Sequence, residues 1–117
     1  MKKVAFLGSE IELHFDMLAH ENIGQYIGME SVEAMLKLMA TGNPISMMKL
    51  GRAVICEGMK CAHRHGGPEP KYKTPEEIGM EKVRFTDFSE SSKFYLECFM
   101  DFWKKVDDPD EDADGKK

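Results

Sequence analysis

The chain has 117 residues with 42% hydrophobic and 32% charged side chains, and its net charge is −5. This length suits one domain with one core, and the sequence contains no apolar run that predicts a membrane span. The negative charge argues against nucleic acid as a partner, because phosphate contacts need a concentrated basic surface. No secretory signal is readable at the N-terminus, so we expect a cytoplasmic protein.

Most of the excess negative charge lies at the end of the sequence, in DDPDEDADGKK. This segment contains no apolar side chain larger than Ala113, so it buries too little surface to offset the entropy lost on ordering. We therefore expect an acidic disordered tail over residues 107–117, after a single globular domain that spans residues 1–106.

Residues 7–16, LGSEIELHFD, predict a β-hairpin near the start of the chain. With Gly8-Ser9 as a two-residue turn, Val4 lies opposite Leu13. This register places the apolar side chains of the two strands on one face, namely Val4, Phe6, Ile11 and Leu13. An isolated hairpin is only marginally stable in water, so we expect this face to pack on helices.

Cap residues and helical spacing predict five helices after the hairpin. Three follow one another closely and are residues 17–27 after Asp16, residues 32–41 after Ser31, and residues 44–64 after Asn43. A short fourth helix starts with Thr74 as its cap and Glu77 in a capping box, and ends near Val83. The last helix starts with a capping box of Asp87 and Glu90 and runs to Val106. The sequence therefore predicts an α+β fold, mostly α-helical, with an N-terminal β-hairpin packed on the helical core.

Two glycines lie inside the long third helix, where each costs about 1 kcal/mol relative to alanine. Gly51 and Gly58 are seven residues apart and share a face of that helix. Glycines at such positions indicate that another helix, or a bound segment, approaches that face too closely to leave room for a side chain.

The segment CEGMKCAHRH holds the residues most typical of a metal site, namely Cys56, Cys61, His63 and His65. Only Cys61 and His65, four residues apart, share a helical face, whereas zinc needs four converging donors. We therefore expect no metal site, with the cysteines as core residues and the histidines at a helix C-terminus. No nucleophile elbow, phosphate-binding glycine loop or metalloprotease motif is present, so we expect a protein without enzymatic activity or cofactor.

Ten methionines are more than a compact core of this size needs. Flexible, polarisable methionine side chains fill irregularly packed cores, and they also suit surfaces that accept an apolar or helical segment of another protein. Both explanations stay open from the sequence. We expect such a partner-binding surface on the second and third helices, at Met35, Met39, Met47 and Met48.

The order of these elements resembles the small tail assembly chaperones of long-tailed phages, prophages and gene transfer agents. The positions that carry the resemblance are Leu13, Phe15, Asp16, Ala19, Gly28, Gly58, Met59, Thr74, Glu76, Glu77, Ile78 and Gly79. The sequence departs from the family pattern at Leu18 and at Ile23-Gly24.

The resemblance implies a chaperone that binds the tape-measure protein, keeps it soluble and helps to recruit tail tube subunits. It implies a place in the bacterial host cytoplasm and departure before the virion is complete. Two alternatives stay open from the sequence. They are a small homodimeric regulatory or scaffold module and a zinc-binding domain.

Overall fold

A computed structural model describes the backbone of residues 1–107 and the side chains of residues 1–104. Its elements are β1 (Lys2–Phe6), β2 (Ser9–Leu13), α1 (Met17–Ile27), α2 (Val32–Thr41), α3 (Pro44–Arg64), α4 (Pro75–Gly79), a 3₁₀ turn (Phe85–Phe88) and α5 (Ser89–Asp107). The predicted fold class, mostly helical with an N-terminal hairpin, is confirmed. The disordered tail expected over residues 107–117 lies outside the described residues, apart from the backbone of Asp107 at the end of α5.

The hairpin forms, but the predicted register is wrong by two residues. Val4 pairs with Ile11 rather than with Leu13, and the turn residues are Leu7 and Gly8, with φ of 51° and 79°. Two successive positive φ values match a type I′ turn, one of the two turn types that follow the twist of the strands in two-residue hairpins. Since side chains alternate with a period of two, the shift leaves the predicted apolar face unchanged.

The caps of the first three helices are confirmed. The side-chain oxygens of Asp16, Ser31 and Asn43 each accept a hydrogen bond from the backbone N–H three residues further on, at 2.8–3.0 Å. These bonds satisfy N–H groups that have no partner within the helix itself. Gly28 ends α1 in the left-handed conformation with φ of 75°, as its position predicts.

Helix α4 is shorter than predicted and starts differently. It ends at Gly79 rather than near Val83, and the side chain of Thr74 makes no cap hydrogen bond. The carboxylate of Glu77 accepts instead from the backbone N–H of Lys73 at 2.8 Å. The capping box expected at Thr74 is therefore wrong, because Glu77 reaches one residue beyond the cap.

The capping box expected at the start of α5 is also wrong. Asp87 accepts from the backbone N–H of Arg84 at 2.7 Å and so caps the 3₁₀ turn before α5. Glu90 accepts from the backbone N–H of Ala5 in β1 at 3.0 Å. This bond satisfies a backbone donor on the hairpin edge and fixes β1 against the start of α5.

Helix α3 lies at the centre of the fold and contacts the hairpin and the other helices. The close approach expected at its two glycines is confirmed. A Cβ at Gly51 would lie 2.7 Å from the ring of Phe88, and one at Gly58 would lie 2.8 Å from Leu13 and 3.0 Å from Phe15. The approaching groups are the 3₁₀ turn and the end of the hairpin, rather than a further helix.

We expect Gly58→Ala to lower the free energy of unfolding. Leu13 and Phe15 are buried, and the adjacent His14 N–H donates to the Gly58 carbonyl at 3.1 Å, so neither side chain has room to move. Overpacking of this kind costs about 1–3 kcal/mol, against about 1 kcal/mol that alanine gains in a helix. Urea unfolding measures the difference.

The matched control is Gly79→Ala, whose new Cβ meets only the flexible side chain of Arg52, at 3.3 Å. We expect it to change stability by less than Gly58→Ala. A Gly58→Ala protein as stable as the wild type would contradict the close packing of the hairpin on α3.

Candidate functional site

An apolar groove lies between the start of α3 and the segment from α4 to the 3₁₀ turn. Its volume is about 550 Å³. Four large apolar side chains line it and are exposed to solvent, namely Ile45 (69%), Met48 (39%), Met80 (79%) and Phe85 (53%). Exposed apolar side chains that share one concave surface are typical of a binding site, whereas scattered ones are ordinary.

The groove is built by the packing of the 3₁₀ turn on α3. Phe88 is buried at the floor of the groove, and its ring occupies the space that a side chain at position 51 would fill. Gly51 therefore allows the 3₁₀ turn to lie directly on α3. With Phe88 held there, Phe85 at the other end of the same turn stays exposed along the groove.

The polar wall of the groove is held by a chain of hydrogen bonds. Arg52 donates to the hydroxyl of Tyr26 at 3.1 Å, and this hydroxyl donates to Glu76 at 2.6 Å. Burial and the bond to Glu76 raise the pKa of Tyr26, and the bond from Tyr26 lowers the pKa of the Glu76 carboxyl. The chain joins α1, α3 and α4, so the groove lies between elements with fixed positions.

The four methionines predicted to bind a partner are not gathered on one surface. Met35 is 3% exposed and belongs to the core, while Met39 and Met47 are half-buried against that core. Only Met48 lines the apolar groove. Partner binding by these four residues stays a prediction. The exposed residues that spacing missed are Ile45, Met80 and Phe85. Met80 lies just after α4, where the helix was expected to continue, and Phe85 lies in the 3₁₀ turn.

A second hollow, of about 520 Å³, lies between α1, the start of α2 and α5. Among the side chains that line it are Met17, His20, Phe102 and Trp103. The His20 ring stacks on Phe102 with centroids 4.6 Å apart. Within the described residues, neither ring nitrogen of His20 nor the indole N–H of Trp103 has a hydrogen-bond partner. Burial lowers the pKa of His20, with a smaller opposing effect from Asp16.

The structure brings Cys61 and His65 together with His14, a residue that spacing did not single out. One possible ligand atom from each lies within 4.8 Å of the other two. Cys56 does not join them, since its thiol lies 3.9 Å from the Tyr72 carbonyl. His63 points instead to the Gly67 carbonyl, at 3.2 Å. His14 precedes Cys61 by 47 positions, so only the packing of the hairpin on α3 reveals the cluster.

Asp16 connects this cluster to its surroundings. Its carboxylate accepts from Arg64 and pairs with the Nε2 of His65, both at 3.0 Å, in addition to capping α1. Burial alone would raise the pKa of the Asp16 carboxyl. The pKa is nevertheless held well below its ordinary value by three groups, namely the hydrogen bonds from His65 and from the Ala19 N–H and the charge of Arg64. The carboxylate is therefore ionised across the physiological range.

Comparisons with protein-family models, with curated proteins and with solved structures return no match for this chain. The resemblance to tail assembly chaperones therefore rests on the sequence pattern. Among the described residues, no helix combines the length and the hydropathy that crossing a membrane requires.

We expect the stability of the protein to fall as the pH drops below about 6.5, the ordinary pKa of histidine. The pKa of His20 is lower in the folded state, so the unfolded chain binds a proton that the folded chain does not. Stability is then lost between pH 6.5 and the folded pKa, by up to about 1.4 kcal/mol per pH unit for one such group.

His20→Phe should reduce this dependence, as measured by urea unfolding at several pH values between 7.5 and 5. His63→Gln is the matched control, because His63 is exposed, and it should leave the dependence unchanged. An identical pH profile for His20→Phe and the wild type would contradict the buried neutral state of His20.

Proposed function

We propose that the protein is a non-enzymatic tail assembly chaperone that binds an apolar helical segment of the tape-measure protein in the apolar groove. The observation that carries the proposal is the exposure of four large apolar side chains along one concave surface. A protein with no partner has no use for this arrangement, since exposed apolar patches favour aggregation.

The side chains in the groove suit a guest whose sequence varies along its length. Met48 and Met80 are flexible and polarisable and can adapt to different apolar side chains. An amphipathic helix places its apolar residues three and four positions apart, and a groove with several apolar side chains accommodates such a row. Charged residues of both signs also line the groove, among them Lys49, Arg84 and Glu81, so they can pair with polar residues beside the apolar face of the guest.

The binding strength expected from this groove suits a temporary complex. Full burial of one large apolar side chain contributes about 1.5–3 kcal/mol, and the four groove residues are exposed by 39–79%. Association itself costs on the order of 4–15 kcal/mol. The apolar side chains of the guest contribute a similar amount, so the gain and the cost are of the same order and the complex is weak and reversible, as release before completion of the tail requires.

One of the motifs that carry the resemblance forms one side of the groove. Residues 74–79, TPEEIG, contain α4, in which Ile78 is fully buried and anchors the helix to the core. Glu76 and Gly79 from the same motif line the groove. This motif and the exposed apolar surface thus lie in the same part of the molecule.

The finer parts of the proposal follow from the resemblance. Tail tube subunits are the second partner, and the chaperone acts in the cytoplasm of the bacterial host and is absent from the mature virion. The gene neighbourhood tests this assignment: a very long helical coding region directly downstream would support it, and a metabolic operon around the gene would contradict it.

Co-expression with the tape-measure protein of the same genome tests the proposal. We expect the wild-type chain to keep the tape-measure protein soluble and to purify with it. The double variant Ile45→Lys with Met80→Lys places a charge on each wall of the groove at highly exposed positions. Loss of one or two apolar contacts should weaken binding at least about tenfold, as measured by titration with the bound segment.

The matched control is Met17→Lys with Met100→Lys, which changes two exposed methionines outside the groove. It should bind as the wild type does. Equal binding by both double variants would contradict the groove as the site, and failure to solubilise the tape-measure protein would contradict the function. A stable homodimer that buries the groove, seen by sedimentation, would favour the scaffold alternative.

A further inference from the structure

We propose that His14, Cys61 and His65 form a binding site for one zinc ion, separate from the apolar groove. Two imidazoles and one thiolate are donors that zinc prefers, and they are a selective combination among the biological divalent metals. The site lies where the end of the hairpin meets the end of α3. It would join these two elements in the folded protein.

Each ligand has a position set by a different local feature. His14 follows β2 directly, and its backbone N–H donates to the Gly58 carbonyl at 3.1 Å. Cys61 is completely buried on α3, and His65 caps the C-terminus of the same helix. Cys61 and His65 are four residues apart and therefore share a helical face.

The distances between the candidate ligand atoms are slightly longer than those in a zinc site, so only small side-chain movements are needed to bind the metal. The three candidate ligand atoms lie within 4.8 Å of one another. In a tetrahedral site with bonds of about 2.0–2.3 Å, neighbouring ligand atoms are roughly 3.3–3.8 Å apart. The two imidazole rings meet edge to face with centroids 4.7 Å apart. The His65 side chain is 46% exposed, so it has room to move closer to the other two ligand atoms.

The surroundings of the cluster resemble the outer shell of a zinc site. Asp16 pairs with the Nε2 of His65 at 3.0 Å, as in the carboxylate–histidine pairs that orient metal ligands. The backbone N–H of Asp16 donates to the Cys61 sulfur at 3.3 Å, a bond that stabilises a thiolate. Arg64 holds the same carboxylate at 3.0 Å. One residue thus orients two of the three ligands.

The protonation of Cys61 defines the chemical step of binding. Cys61 is completely buried, and its thiol must lose its proton to bind a metal ion. Zinc binding replaces three bonds from zinc to water with one bond to the Cys61 sulfur and two bonds to neutral histidine nitrogens, and the thiol proton and the three water molecules go to solvent. A water molecule completes the four ligands, because the three protein donors leave one position open.

The test is a titration of the untagged, full-length, reduced protein with cobalt(II), which substitutes for zinc and is visible by absorption. We expect ligand-field bands typical of a tetrahedral site, a thiolate-to-cobalt charge-transfer band, and their loss on addition of one zinc per chain. Absence of the charge-transfer band, or binding of zinc without displacement of cobalt, would overturn the proposal.

Variants identify the ligands. His65→Gln changes an exposed side chain and should weaken zinc binding by at least about 100-fold, the upper end of the loss for outer-shell residues. Cys61→Ser should abolish the charge-transfer band. Asp16→Asn keeps the helix cap and should weaken binding by about 10- to 100-fold.

The controls are His63→Gln and Cys98→Ser, which change a histidine and a cysteine outside the cluster. Both should bind zinc as the wild type does, and loss of the cobalt spectrum in either one would overturn the proposal. Circular dichroism checks that each variant is folded, and if Cys61→Ser does not fold, His65→Gln and Asp16→Asn decide the outcome.

Cys61 lies thirteen residues after Met48, about 20 Å along α3, so tape-measure binding and zinc binding can fail independently.

Discussion

The packing of the hairpin end on Gly58 is the contact on which the rest of the structure depends. Leu13 and Phe15 occupy the space beside this glycine, and the intervening His14 bonds to its carbonyl. A two-stranded hairpin has little stability of its own, so its place depends on this contact together with the bond from Ala5 to Glu90 at the start of α5. A side chain at position 58 would push the hairpin away from α3 and open the core beneath it.

The same contact determines where α1 begins. Asp16 follows the hairpin by three residues, and it caps α1 while its carboxylate binds Arg64 and His65 at the end of α3. One carboxylate thus fixes the direction in which the chain enters α1 and the position of α1 beside α3. The carboxylate lies at the N-terminus of α1 and accepts a hydrogen bond from the cationic Arg64, and both of these stabilise its negative charge.

Local chemistry explains which parts of the fold could be predicted from sequence. Caps such as Asp16, Ser31 and Asn43 act on the backbone three residues away, so the pattern alone locates the helices. The sequence predicts the wrong turn residues for the hairpin because Leu7 adopts a positive φ of 51°. Leucine rarely adopts this conformation, so its sequence position does not predict it. The position of His14 beside Cys61 and the exposure of Met80 and Phe85 depend on contacts between distant segments, which periodicity does not contain.

The hairpin also has a part in shaping the apolar groove, which explains why a mostly helical protein begins with two strands. Phe6 of β1 stacks on Phe88 with ring centroids 6.0 Å apart and planes inclined by 19°. Phe88 in turn lies on Gly51 and forms the groove floor. Phe6 therefore packs against the 3₁₀ turn through Phe88. On α3, Gly58 contacts the end of the hairpin and Gly51 contacts Phe88, the residue at the groove floor.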